Sequence, residues 1–98
     1  MNLRWFEALA DCEQQGQSYV LLTVMGTAGS VPRNSGSKML VTLEQQYDTI
    51  GGGELEFQLI SQARQLLAQG QNSQQLVQVP LAAKAGQCCG GSVQIRHN

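Results

Sequence analysis

Apolar residues recur along the chain with helical spacing in two stretches and with strand spacing in five. The first helical stretch runs from Asn2 to Gln15. Leu3, Phe6, Leu9 and Ala10 share one face with Trp5 at its edge, Asn2 is placed to cap, and Gly16 to terminate. Cys12 falls on the margin of that face as a small, half-buried thiol. Tyr19 to Met25 is continuously apolar and rich in β-branched residues, which predicts a central strand covered on both faces. Met39–Thr42 and Tyr47–Ile50 flank a Glu44-Gln45-Gln46 turn and predict an antiparallel hairpin.

The second helical stretch starts after Gly51-Gly52-Gly53 and continues to about Gln69. At roughly 100° per residue, Gln58, Gln62, Gln65 and Gln69 share the polar face with Glu54, a solvated carboxylate. Leu55, Leu59, Ile60, Ala63, Leu66 and Leu67 form the opposite face, and Glu56 lies in line with Ile60, Ala63 and Leu67. A carboxylate on the apolar stripe of a first turn needs a partner, because burying it unpaired is costly. Gly70 ends the helix, Gln71–Gln75 reads as a polar linker, and Leu76–Leu81 as a short strand that Pro80 confines to an edge. After a loop at Ala82–Gln87 come Cys88-Cys89-Gly90-Gly91 and a last alternating strand, Ser92–His97. The order α-β-β-β-α-β-β predicts an α+β domain over residues 1–98, with a mainly antiparallel or mixed sheet packed with two helices.

Ninety-eight residues hold one modest core. A formal net charge of −1 with no basic stripe argues against nucleic acid as a partner. No apolar span of about 20 residues argues for a membrane helix, and the amino end lacks the apolar core of a signal peptide, so the expected location is cytoplasmic. Three cysteines, two of them adjacent, are not a disulfide framework.

Candidate chemistry gathers at three glycine-bearing junctions: residues 26–38, 51–53 and 86–91. The first is long for a loop in so small a domain, and carries Arg33 and Lys38. The second sets backbone N–H groups at the positive end of a helix, where an anion can sit, although Glu54 and Glu56 oppose one. If the strand order brings the three to one edge of the sheet, they form a cleft around Arg33, Lys38, Glu56, Cys88 and Cys89. A structural zinc site built on Cys88, Cys89 and His97 fits poorly, since such sites use spaced pairs of ligands. A Cys–His nucleophile lacks a placed histidine, and both the P-loop and the dinucleotide fingerprint are absent.

Three blocks in order resemble the amino-terminal domain of the XdhC/CoxI family. They are Gly29-Ser30-Val31-Pro32-Arg33 with Gly36-Ser37-Lys38-Met39-Leu40-Val41, then Thr49 through Glu56, then Cys88-Cys89-Gly90-Gly91-Ser92-Val93. The resemblance implies a non-catalytic chaperone of the molybdenum cofactor, molybdopterin or a dinucleotide form of it, held transiently. The implied partners are a cysteine desulfurase, which supplies the terminal sulfido ligand, and an apo-molybdenum hydroxylase of the xanthine dehydrogenase type. Family members commonly carry a second, Rossmann-like domain, which these 98 residues lack, so a separate domain of that kind is a further expected partner. A sheet domain of this size leaves edges to cover, which adds a homo-oligomer to the expectations. Carried onto this sequence, Arg33, Ser37, Lys38, Gly51, Gly52 and Gly53 suit the cofactor's phosphate, with Glu56 bracing the loops. Cys88, Cys89, Gly90 and Gly91 form the facing wall, with either thiolate suited to molybdenum. Two other readings stay open: a cysteine-dependent sulfur-transfer or redox domain, and a structural interaction domain using the glutamine face.

Overall fold

The computed structural model describes residues 3–26, 36–50, 53–78 and 87–95. Its elements are α1 (Trp5–Gln15), β1 (Tyr19–Gly26), β2 (Lys38–Val41), β3 (Gln46–Tyr47), α2 (Gly53–Gln69), β4 (Ser73–Gln78) and β5 (Gln87–Gln94). The strands form one sheet in the order β3-β2-β1-β5-β4, and every neighbouring pair is antiparallel. This is the expected α+β domain, with Tyr19–Gly26 at the centre of the sheet and Ser73–Gln78 at an edge.

Strand alternation divides the core. Val20 pairs with Val41 and Val93, and Leu22 pairs with Met39 and Gly91. Together with Val24, these apolar side chains pack with Ile50 and with Leu59, Ile60, Ala63 and Leu67 of α2. Removing a leucine-sized side chain from water stabilises by about 1.5–3 kcal/mol, so this face carries most of the stability. The opposite face holds a smaller cluster, where Ala8 and Cys12 of α1 meet Tyr19 and Leu40. Leu3, Trp5, Leu9, Leu21 and Tyr47 pack at its margin. Because α1 packs chiefly on β2, Thr23 and Met25 stay only half-buried. The expectation that the central strand is covered on both faces therefore holds fully on one face only.

Several boundaries differ from the sequence expectation. Helix α1 begins at Trp5, with Arg4 as its cap residue. Arginine has no acceptor to offer, and the Asp48 carboxylate takes the Trp5 N–H (3.2 Å) in its place. The buried face of α1 runs through Trp5, Ala8, Leu9 and Cys12, leaving Phe6 and Ala10 exposed. Gly16 ends the helix at φ +71°, as expected. Strand β3 stops at Tyr47 because Asp48 adopts φ +69°, a left-handed conformation that aspartate tolerates better than most residues. Strand β4 starts at Ser73, so the glutamines at 74 and 75 belong to an edge strand rather than a linker. The largest shift is in β5, which pairs from Gln87 to Gln94. Cys88-Cys89-Gly90-Gly91 is thus the interior of a strand, hydrogen-bonded on both sides, and not a turn before one. Asn2, Pro80 and His97 lie outside the described residues.

Candidate functional site: one end of the sheet

The antiparallel order fixes where the three glycine-bearing segments enter and leave the sheet. β1 finishes at Gly26 where β2 begins at Lys38, and β5 begins there too, since Gly26 pairs with Gln87 and Thr23 with Lys38. The chain leaving β3 runs antiparallel to β2, toward that same end, and enters α2 at Gly53. Gln78 closes β4 opposite Cys88, at that end again. The described residues flanking all three segments therefore stand at one end of the sheet. From β3 to β5 is three strand spacings, about 14 Å. Helix α2, packed across β2, β1 and β5, bridges that width.

At the first segment, Gly36 sits at φ +88° with open space around it, a conformation that favours glycine. Its N–H donates to the Val24 carbonyl (2.8 Å), and the Ser37 carbonyl accepts from the Val24 N–H (3.0 Å). These bonds extend the β1–β2 ladder beyond Lys38. The Lys38 ammonium donates to the Thr23 hydroxyl (3.0 Å) and stands 5.8 Å from the centre of the Trp5 ring. A cation is thus held on the α1 side of the sheet by a hydroxyl and an aromatic face.

At the second segment, Glu56 is half-buried, and one of its oxygens, Oε1, accepts from the Thr49 hydroxyl (2.5 Å) and the Ile50 N–H (3.1 Å). The carboxylate on the apolar stripe thereby ties the first turn of α2 back to the segment between β3 and the glycines. A second carboxylate, Asp48, binds the Arg4 Nε–H (2.8 Å) as well as the Trp5 N–H. The hydrogen bond from the Arg4 guanidinium, with the Trp5 N–H, holds the Asp48 carboxyl below its usual range.

At the third segment, positions 88 and 89 pair with Met25 and Val24 of β1 and with Gln78 and Val77 of β4. Consecutive strand positions belong to opposite faces, so position 89 shares the row of Val24 on the α2 side and position 88 the row of Met25. Gly90 and Gly91 help line an open groove of about 430 Å³ with Leu21, Thr23, Met25, Gln74 and Ser92.

Among the expected site residues, Ser37, Lys38, Gly53, Glu56, Cys88, Cys89, Gly90 and Gly91 occupy described backbone. Ser37, Lys38, Gly53, Cys88 and Cys89 stand at this end of the sheet, Glu56 follows in the first turn of α2, and Gly90 and Gly91 lie at mid-strand opposite Thr23 and Leu22. Arg33, Gly51 and Gly52 lie outside the described residues, as do the side chains of Glu54, Leu55, Cys88 and Cys89. Among the described residues, no group of three or more His, Cys, Asp or Glu side chains could hold a metal ion. Sequence reasoning missed Asp48 and Met25. No pattern links Asp48 to a helix start 43 residues earlier. The cross-strand pairing of Thr23 with Lys38 could have been guessed from two polar residues amid apolar strands.

The model of the XdhC and CoxI family matches residues 12–80, most of the chain. The chain belongs to the XdhC and CoxI family. The match spans the Gly29–Val41 and Thr49–Glu56 blocks and ends before Cys88. No curated protein matches the chain significantly. XdhC and CoxI proteins are accessory factors in the maturation of molybdenum enzymes rather than catalysts. No helix among the described residues is long and apolar enough to cross a membrane.

Proposed function

We propose that this XdhC/CoxI domain binds the molybdenum cofactor, as molybdopterin or a dinucleotide form, and holds it for sulfuration and insertion into a xanthine dehydrogenase-type hydroxylase. The observation that supports this reading is that the described residues flanking all three glycine-bearing segments stand at one end of the sheet. Two features there fit a phosphate-bearing ligand. On the α1 side Lys38 supplies a cation, and on the opposite face Gly53 opens a 17-residue helix whose first N–H groups are free of intrahelical partners. Glu56 already takes two donors from its own turn and serves as a brace. Arg33 and Ser37 would add to the phosphate end, and Cys88 or Cys89 would supply a soft ligand on the opposite wall. When bound, the cofactor supplies the molybdenum centre destined for the hydroxylase. The chain's own part is to bind it, orient it and shield it from water.

The partners that follow are a cysteine desulfurase, the apo-hydroxylase and a Rossmann-like domain. A second copy of this chain is a further partner, because the outer strand Ser73–Gln78 carries neither charge nor proline to guard its edge. The test is size-exclusion co-elution of the chain with cofactor released from a molybdenum hydroxylase, the metal being counted in the protein peak. Wild type should carry molybdenum, and Lys38→Gln and the pair Cys88→Ser with Cys89→Ser should carry less. Equal loading of all three would remove these residues from the site.

A further inference from the structure

The groove on the half of the sheet that α1 leaves open has the bare backbone of Gly90 in its floor. Gly90 lies in the interior of β5, paired with Thr23 on one side and Leu76 on the other. Glycine inside a strand costs roughly 0.5–1 kcal/mol relative to alanine, and it marks places where a ligand or another backbone approaches closely. A Cβ at position 90 would stand 2.9 Å from the Met25 methyl and 3.6 Å from its sulfur. The thioether of Met25 therefore lies directly over the bare backbone. Methionine has three rotatable bonds and a sulfur that packs well against aromatic rings, so it can swing aside and then cover what replaces it.

The rim is mixed in a way that selects. Leu21 and Met25 are apolar, Ser92 and Gln74 offer hydrogen-bonding groups along one side, and the Thr23 hydroxyl on the other side carries the Lys38 ammonium at 3.0 Å. Lys38 is two strand spacings from Gly90, about 10 Å, a reach that suits a ring with a short charged arm and not a bare ion. The groove volume of about 430 Å³ is within the range of small-molecule sites.

We infer that this groove is a platform for a planar heteroaromatic ring bearing an anionic group, with the Gly90 backbone as floor, Met25 as cover and Lys38 as the counter-charge. The inference rests on the cofactor-binding reading, for which the ring is the pterin. Its competitor is that Gly90 exists only to admit Met25. A titration of the full chain with fluorescent pterin-6-carboxylate, read by anisotropy, separates them, with inorganic phosphate as the ring-free competitor. Wild type should bind, Lys38→Gln should weaken binding about tenfold, and excess phosphate should displace the pterin poorly. In Met25→Ala with Gly90→Ala the clash is relieved, so the melting temperature should stay near wild type while pterin affinity falls about tenfold. Wild-type affinity in that double variant, or phosphate competing as well as the pterin itself, overturns the platform. If the double variant still loads molybdenum cofactor as wild type does, the platform is wrong and the chaperone reading stands. If wild type binds the pterin acid in the predicted pattern but loads no cofactor, the chaperone reading fails and the platform stands.

Discussion

Replacing Glu56 by alanine tests how the strand–glycine–helix junction is held. The Glu56 Oε1 accepts from the Thr49 hydroxyl and from the N–H of Ile50, a residue only 2% exposed. Thr49 is exposed, so water can take over its bond at little cost. The Ile50 N–H has no such access, and a hydrogen bond to a charged group contributes about 1.5–3 kcal/mol net. A carboxylate near a helix amino end adds about 0.3–1 kcal/mol. Glu56→Ala should therefore destabilise the chain by about 2–4 kcal/mol. At about 4–8 °C per kcal/mol for a domain of this size, the melting temperature falls by at least ~8 °C. Glu56→Gln keeps an amide oxygen for Ile50 and should lose roughly half as much. Thr49→Val should lose almost nothing. Thermal denaturation followed by far-ultraviolet circular dichroism measures all three. A Glu56→Ala chain that melts within about 2 °C of wild type, or a Thr49→Val chain that falls as far, would refute the brace.

Three further outcomes follow from the fold. Asp48→Ala removes the acceptor that caps α1 from the far side of the sequence and should cost about 1 kcal/mol. Because the folded Asp48 pKa is depressed, that contribution is complete above the usual carboxylate range near 3.9 and fades as pH falls through the lower folded value. The stability gap between wild type and Asp48→Asn should accordingly close in acid; a gap that persists below that range contradicts the assignment. Leu59→Ala should cost about 2–5 kcal/mol by urea denaturation, whereas Phe57→Ala, at a position 72% exposed, should stay within about 0.5 kcal/mol. Similar losses would mean that α2 is rotated from the orientation described. Cys12 is buried, and that burial pushes its thiol pKa up. Iodoacetamide at neutral pH should label its peptide only after unfolding in guanidinium, and native labelling would place α1 wrongly.

The parts of the fold legible in the sequence are those where burial imposes a period. Tyr19–Gly26 and Gly53–Gln69 carry one-sided or continuous apolar patterns because both lean on the main core. Glu56 stood out because it broke such a pattern, and the break turned out to have a local partner. Strand β4 was obscured because its early residues are glutamines on an edge, where no buried face writes a period into the sequence. The start of β5 was hidden for a different reason. Cys-Cys-Gly-Gly reads as a turn by composition, while the backbone bonds that make it a strand come from β1 and β4, neither adjacent in sequence. The start of α1 was misjudged because the Trp5 N–H is taken by Asp48, far away in sequence, while only the Arg4 N–H is capped locally, by Glu7. For the site, three glycine-bearing blocks could be found from residues alone, but that their described flanks stand at one end of the sheet depended on strand order.

The central claim is that this end of the sheet receives the molybdenum cofactor. Its most direct test is the amount of molybdenum retained per chain when released cofactor is mixed anaerobically with the purified protein and unbound cofactor is removed by rapid ultrafiltration. Saturation near one molybdenum per chain, reduced in Lys38→Gln, is the predicted result. Retention no greater than that of an unrelated protein of the same size would contradict it.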